Sequence, residues 1–145
     1  MKNSVRKFIL YSLVIFPFVF NACTKDTYIE QKRTQSYRFT VDPKSWVEIN
    51  APLGSQGYGF RSEQLFPEIT NDVMINGSVN LFIEIDGTLE PLPLNVYFKS
   101  KEGVPYQGRY TYWFKAGRLF IEYYESDFNT GKPTNPLNFK LVIIQ

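Results

Sequence analysis

Three carboxylates stand close together in the last quarter of the chain: Glu122, Glu125 and Asp127. A pair of acids flanking a glycosidic bond is enough to hydrolyse it, one protonating the leaving oxygen and the other acting as base or nucleophile. Glu122 and Glu125 differ in strand parity, so a regular strand sends them to opposite faces, and solvated charge at a strand edge is the expected role. Asp127, Asn129 and Gly131 have part of the spacing of a calcium loop. The acidic ligand at its fifth place and the closing Glu at its twelfth are missing, which leaves a turn between strands. Gly57 and Gly59 flank Tyr58 with no helix after them, so no phosphate cradle is implied. The 145 residues include no His and one Cys, Cys23. That excludes Ser-His-Asp and Cys-His nucleophile pairs, His-liganded zinc and haem, and a histidine pH switch. The chain is therefore expected not to be an enzyme and to carry no cofactor and no metal, a carboxylate-based hydrolase being the weakest alternative.

Aromatic side chains are the more promising chemistry: the chain holds 2 Trp, 10 Tyr and 13 Phe. They concentrate between Arg109 and Glu125. A two-residue turn at Ala116-Gly117 pairs Phe114 with Leu119, Trp113 with Phe120, Tyr112 with Ile121, Thr111 with Glu122 and Tyr110 with Tyr123. Tyr110, Tyr112, Phe114, Leu119, Ile121 and Tyr123 then share one face, which is a core stripe. The other face carries Trp113, Phe120 and Tyr124 among Thr111, Glu122, Lys115 and Arg118. One expectation is that this second face packs under the helical turn, a crossing loop or the N-terminal tether. The other is that it is exposed and that Trp113, Phe120 and Tyr124 bind a ligand, by stacking on a sugar or docking on a protein. Trp46 and Tyr58 carry the same two readings, core or rim first and binding second.

The elements that would hold these residues are strands. Tyr37, Phe39 and Val41 alternate with polar neighbours, as do Val79, Leu81, Ile83 and Ile85 before the turn dipeptide Asp86-Gly87. Further strands are expected at Trp46 to Asn50, Tyr58 to Leu65, Leu92 to Lys99, Arg109 to Lys115, Arg118 to Glu125 and Asn138 to Ile144. Only Thr70 to Asn76 reads as helical, with Thr70 as N-cap, Gly77 in the left-handed C-terminal conformation, and Ile69 and Val73 pinning it to the sheet. One helical turn cannot cover a sheet, so the strands must cover one another. The fold expected is all-β, an antiparallel β-sandwich, immunoglobulin-like or related, of about seven to eight strands. Pro91 and Pro93 place Leu89 to Leu94 at an edge or across a bulge. The last strand is apolar on both parities, which predicts a central strand covered on both sides.

The N-terminus reads as an address. Lys2, Arg6 and Lys7 precede an apolar run, Phe8 to Phe20, too short for the roughly 18 to 20 residues of a membrane span. Residues 1–22 are expected to be a lipoprotein signal peptide, because Phe20-Asn21-Ala22-Cys23 resembles a bacterial lipobox. That resemblance implies a diacylglyceryl group on the Cys23 thiol, which becomes the acylated first residue. One acyl chain binds a membrane only marginally, whereas several hold it essentially permanently. Residues 23–35 then form a lipidated Cys and polar tether, with a reach of about 20 Å, and residues 36–145 the β-sandwich domain. The whole chain has 16 Lys and Arg against 14 Asp and Glu. Removing residues 1–22 takes away Lys2, Arg6 and Lys7 and no acid, leaving 13 basic against 14 acidic. Nothing there supplies the basic clustering that nucleic acid requires. With no second Cys for a disulfide, the domain must stand by packing alone.

Two further stretches carry a resemblance. Lys25-Asp26 is similar to the acidic export signal of surface-exposed Bacteroidetes lipoproteins. Pro67-Glu68-Ile69-Thr70-Asn71-Asp72-Val73, Gly77-Ser78-Val79, Trp46, Leu92-Pro93 and the closing run Phe139 to Ile144 resemble a group of small Bacteroidetes outer-membrane lipoproteins. The resemblance implies an exported β-sandwich and transfers no functional residue. The expectation is thus an envelope protein anchored in the outer membrane through acylated Cys23, on its periplasmic or cell-surface side. It would act as a binding or interaction module for a glycan or an envelope protein. The alternative is a structural subunit of a larger assembly, joined by strand pairing at an edge near Leu89 to Leu94.

Overall fold

The computed structural model describes residues 33–50, 58–126 and 131–145. Cys23, the signal segment, the tether up to residue 32, Asp127 and Asn129 lie outside the described residues.

The described residues form nine strands, one short α-helix and a 3₁₀ turn at Pro43–Ser45: β1 (Thr34–Val41), β2 (Val47–Asn50), β3 (Tyr58–Leu65), α1 (Asn71–Asn76), β4 (Ser78–Ile85), β5 (Thr88–Pro91), β6 (Leu94–Lys99), β7 (Pro105–Lys115), β8 (Arg118–Glu125) and β9 (Leu137–Ile144). They build a four-stranded sheet ordered β1-β9-β4-β5 and a five-stranded sheet ordered β2-β3-β8-β7-β6, with every pair antiparallel. The sheets shield each other, as an all-β chain with one helical turn must. Val41, Leu81, Ile83, Phe139, Leu141 and Ile143 of one sheet and Leu119, Ile121 and Tyr123 of the other form the buried core, together with Trp46. In immunoglobulin constant domains the first strand lies beside the second; here it lies beside the last, so the connectivity is that of a different sandwich.

Asp86 and Gly87 both have positive φ, 50° and 79°, the conformation that a two-residue hairpin turn requires. That turn folds β4 back onto β5, a strand the alternation pattern does not reveal because it is short and ends in Pro91. Leu89 to Leu94 is the crossover from β5, an edge of the first sheet, to β6, an edge of the second. Edges are where a residue without an N–H is tolerated. β1 starts at Thr34, with Thr34 and Gln35 already paired to Ile144 and Ile143, two residues before the expected domain boundary.

Two local expectations need correction. β9 is central, between β1 and β4, but only its inner residues Phe139, Leu141 and Ile143 are buried. Val142 and Ile144 on the outer face are half-exposed, because no layer of the described fold lies over them. Gly77 ends α1 with φ −105°, an ordinary extended value rather than the left-handed one. Its lack of a side chain is required for another reason: a Cβ there would collide with the carbonyl oxygen of Ile144 and the backbone of Val73. The N-terminal features stand as expected. The Thr70 hydroxyl accepts from the Val73 N–H at 3.2 Å, and Ile69 and Val73 are fully buried. Gly77→Ala is accordingly expected to lower unfolding free energy by about 1–3 kcal/mol through overpacking against β9, measured by denaturant titration; an unchanged midpoint would contradict the close approach.

Candidate functional site

β8 is the middle strand of the five-stranded sheet and is buried on both faces. Leu119, Ile121 and Tyr123 point into the core, whereas Phe120 and Glu122 are buried on the outer side. Its neighbours supply the cover. Across the outer face run the rungs Glu63, Phe120 and Trp113; Arg61, Glu122 and Thr111; and Gly59, Tyr124 and Arg109. The β7–β8 pairing matches the register expected from the Ala116-Gly117 turn at every predicted pair.

Glu122 is the hub of this face. Its Oε1 accepts from Arg61 Nε at 2.8 Å, from Arg61 Nη2 at 2.6 Å and from Trp113 Nε1 at 2.8 Å. Its Oε2 accepts from the Tyr124 hydroxyl at 2.6 Å. Burial alone would raise the carboxyl pKa. Hydrogen bonds from Tyr124, Trp113 and Arg61, with the guanidinium charge, outweigh it and hold the group below its ordinary value. The same burial and the adjacent carboxylate raise the Tyr124 hydroxyl, so it remains a donor. Gly59 makes room for this arrangement, since a Cβ at that position would run into the Tyr124 ring.

The indole of Trp113 stacks on the Phe120 ring, with centroids 3.8 Å apart and planes 10° from parallel. Phe120 is only 5% exposed as a result. The expectation that Phe120 is itself a binding surface is therefore corrected: it is the support on which Trp113 rests. Trp113 keeps 39% of its surface exposed. The Arg61 guanidinium carbon is 5.2 Å from the indole centroid and 6.0 Å from the phenyl centroid. With the rings only 3.8 Å apart, those distances place it beside the stack rather than over the indole's far face. Nor does β6 flank Trp113, because its pairing with β7 ends at Leu94 and Tyr110. Tyr124 is half-buried and tied to Glu122. Trp46, the other tryptophan, lies in the core.

Glu122 and Glu125 face opposite sides of their sheet, as parity predicts, and do not converge as a hydrolytic pair. Glu125 instead points to one end of the space between the sheets. There it accepts from the Tyr123 hydroxyl at 2.6 Å and from the Gly131 N–H at 3.2 Å. It lines a cleft of about 290 Å³ with Phe98, Tyr110, Tyr123, Lys132 and Leu137. Burial, with the charge of Glu125, pushes the Tyr110 hydroxyl up to about 12. Sequence reasoning missed this cleft; the shared parity of Tyr123 and Glu125 was the available signal. Among the described residues no three His, Cys, Asp or Glu side chains gather as a metal would require. Comparison of the chain with protein-family models, curated proteins and solved structures returned no match.

The depressed pKa of Glu122 links its network to acid stability. Its stabilising effect is complete above the ordinary glutamate value of about 4.3 and is lost as pH falls through the lower folded value. Glu122→Gln leaves Arg61 without its counter-charge and should cost about 1–3 kcal/mol at pH 7. Denaturant titrations between pH 7 and pH 3 should show the difference between variant and parent shrinking toward the acid end; a constant difference would contradict the ionised hub.

Proposed function

We propose that this chain is a lipid-anchored envelope protein of the outer membrane, held by acylated Cys23. In this reading it is a non-enzymatic binding module that presents the outer face of its five-stranded sheet to a glycan. The observation that carries the proposal is the posture of Trp113. Its indole is braced by Phe120 at 3.8 Å and tethered through Nε1 to Glu122, yet it remains 39% exposed. A flat ring fixed in advance loses little conformational freedom on binding, which is how a small contact can give useful affinity. Polar groups close to it are already bonded to one another, so the ring face is the principal contact and Tyr124 its neighbour. A ring with an exposed face also suits an envelope protein, the second class of partner for this surface. Joining of an assembly by strand pairing at Leu89 to Leu94 has weaker support, because Pro91 removes a donor from that edge.

Trp113→Ala is the direct test. Loss of the stack and of one hydrogen bond should cost about 1–2 kcal/mol, and the folded protein should lose glycan binding on an array of neutral and acidic oligosaccharides. Binding equal to the parent's would remove Trp113 from the site. The anchor is tested separately by mass spectrometry of the protein from its native envelope. A diacylglyceryl group on Cys23 is expected, and an unmodified residue 23 would refute the anchoring.

A further inference from the structure

The strand registers assign every residue of the five-stranded sheet to one of its two faces, and this allows the charge of the Trp113 face to be counted. Outward parity includes Arg61 and Glu63 on β3, Lys99 on β6, Arg109 and Lys115 on β7, and Arg118 and Glu122 on β8. That is five basic side chains against two acidic ones, a balance of +3. The described residues as a whole carry 11 basic and 11 acidic side chains, so this face concentrates positive charge that the rest of the fold balances. Both acids are already engaged, Glu122 with Arg61 and Glu63 with Arg118. Among the described residues no carboxylate forms an ion pair with Lys99, Arg109 or Lys115, and all three are exposed.

Their placement matters as much as their number. Arg109 and Lys115 lie on the same strand as Trp113, four residues before it and two after. At about 3.4 Å per residue their Cα atoms are separated by roughly 20 Å along β7, with the exposed indole between them, and the Lys115 Nζ lies 5.3 Å from the Phe120 ring centroid, at the edge of the aromatic stack. A cation without a carboxylate partner on either side of an aromatic plate, one of them resting on the Phe120 ring, matches a ligand that alternates flat apolar ring faces with negative charge along its length. We infer that the ligand of this face is an acidic polysaccharide, a chain of sugars bearing carboxylates, with Trp113 stacking on a ring and Arg109 and Lys115 pairing with carboxylates on either side. The inference rests on the reading of Trp113 as a glycan platform and specifies the class of glycan. The cations should act mainly through attraction and orientation, which makes binding sensitive to salt.

The experiment uses the full chain and two probes with one backbone: polygalacturonate and its fully methyl-esterified, uncharged form. Titration should show tighter binding of the charged form at low salt and a loss of that advantage as salt rises. The double variant Arg109→Gln with Lys115→Gln, both changes at exposed positions, should bring the charged form down roughly three- to tenfold, to the level of the neutral one. Trp113→Ala should abolish binding of both. Equal binding of the two probes, dependent on Trp113, would overturn the charge inference and leave the platform standing. Binding of neither probe would overturn both. Salt-sensitive binding of polygalacturonate that survives Trp113→Ala would also overturn the proposal, since charge alone would then account for it. Should the double variant fail to fold, the salt series on the unaltered chain decides between the same outcomes.

Discussion

The structure turns on covering β8 from both sides. On its inner side the requirement is met in the ordinary way, with Leu119 and Ile121 fully buried against the opposite sheet. Among the described residues no sheet lies over its outer side. Cover comes from side chains of the two neighbouring strands, laid over Phe120 and Glu122. A carboxylate buried in this way is tolerated only because four donor contacts reach it, two of them from Arg61. Trp113 is consequently fixed by a stack on one side and a hydrogen bond at its edge. The exposed ring is a by-product of satisfying a buried charge, and its rigidity has the same source.

Much of this was legible in the sequence where the determinants are local. The β7–β8 register follows from a two-residue turn and period-two alternation, both contained within Arg109 to Glu125. The same holds for the Thr70 cap and for the spacing of Ile69 and Val73. Parity alone placed Glu122 and Glu125 on different faces. What was not legible depends on strands far apart in the chain. Arg61 and Glu122 are 61 residues apart, and nothing in either segment announces that β3 will pair with β8. Without Arg61 and the Trp113 N–H, Glu122 reads as a solvated charge and Phe120 as an exposed ring. Gly77 shows the same limit: its turn residue was recognised, but the strand that forbids a side chain there lies 67 residues downstream.

A chain with one Cys has no crosslink within the domain, so its two ends must be secured by pairing and burial. β9 does this by lying between β1 and β4, and its inner residues are among the most deeply buried in the fold. The positive charge on the five-stranded sheet is compatible with such a core because every basic residue of its strands lies on the outer face. Basic residues at the outward positions of β3, β6, β7 and β8 alternate with inward apolar ones, so each strand contributes to the core and to the surface independently.

The pairing of the first strand with the last also has a mechanical side. Eight residue pairs join β1 to β9, from Thr34 opposite Ile144 to Val41 opposite Leu137, and backbone hydrogen bonds between Arg33 and Gln145 extend them. Tension entering at Arg33 along the strand axis loads these rungs in shear, all at once, whereas tension across the axis would unzip them one at a time. A domain hauled lengthwise by its leading end thus grips with its whole seam, and resistance to rupture depends on the direction of pull.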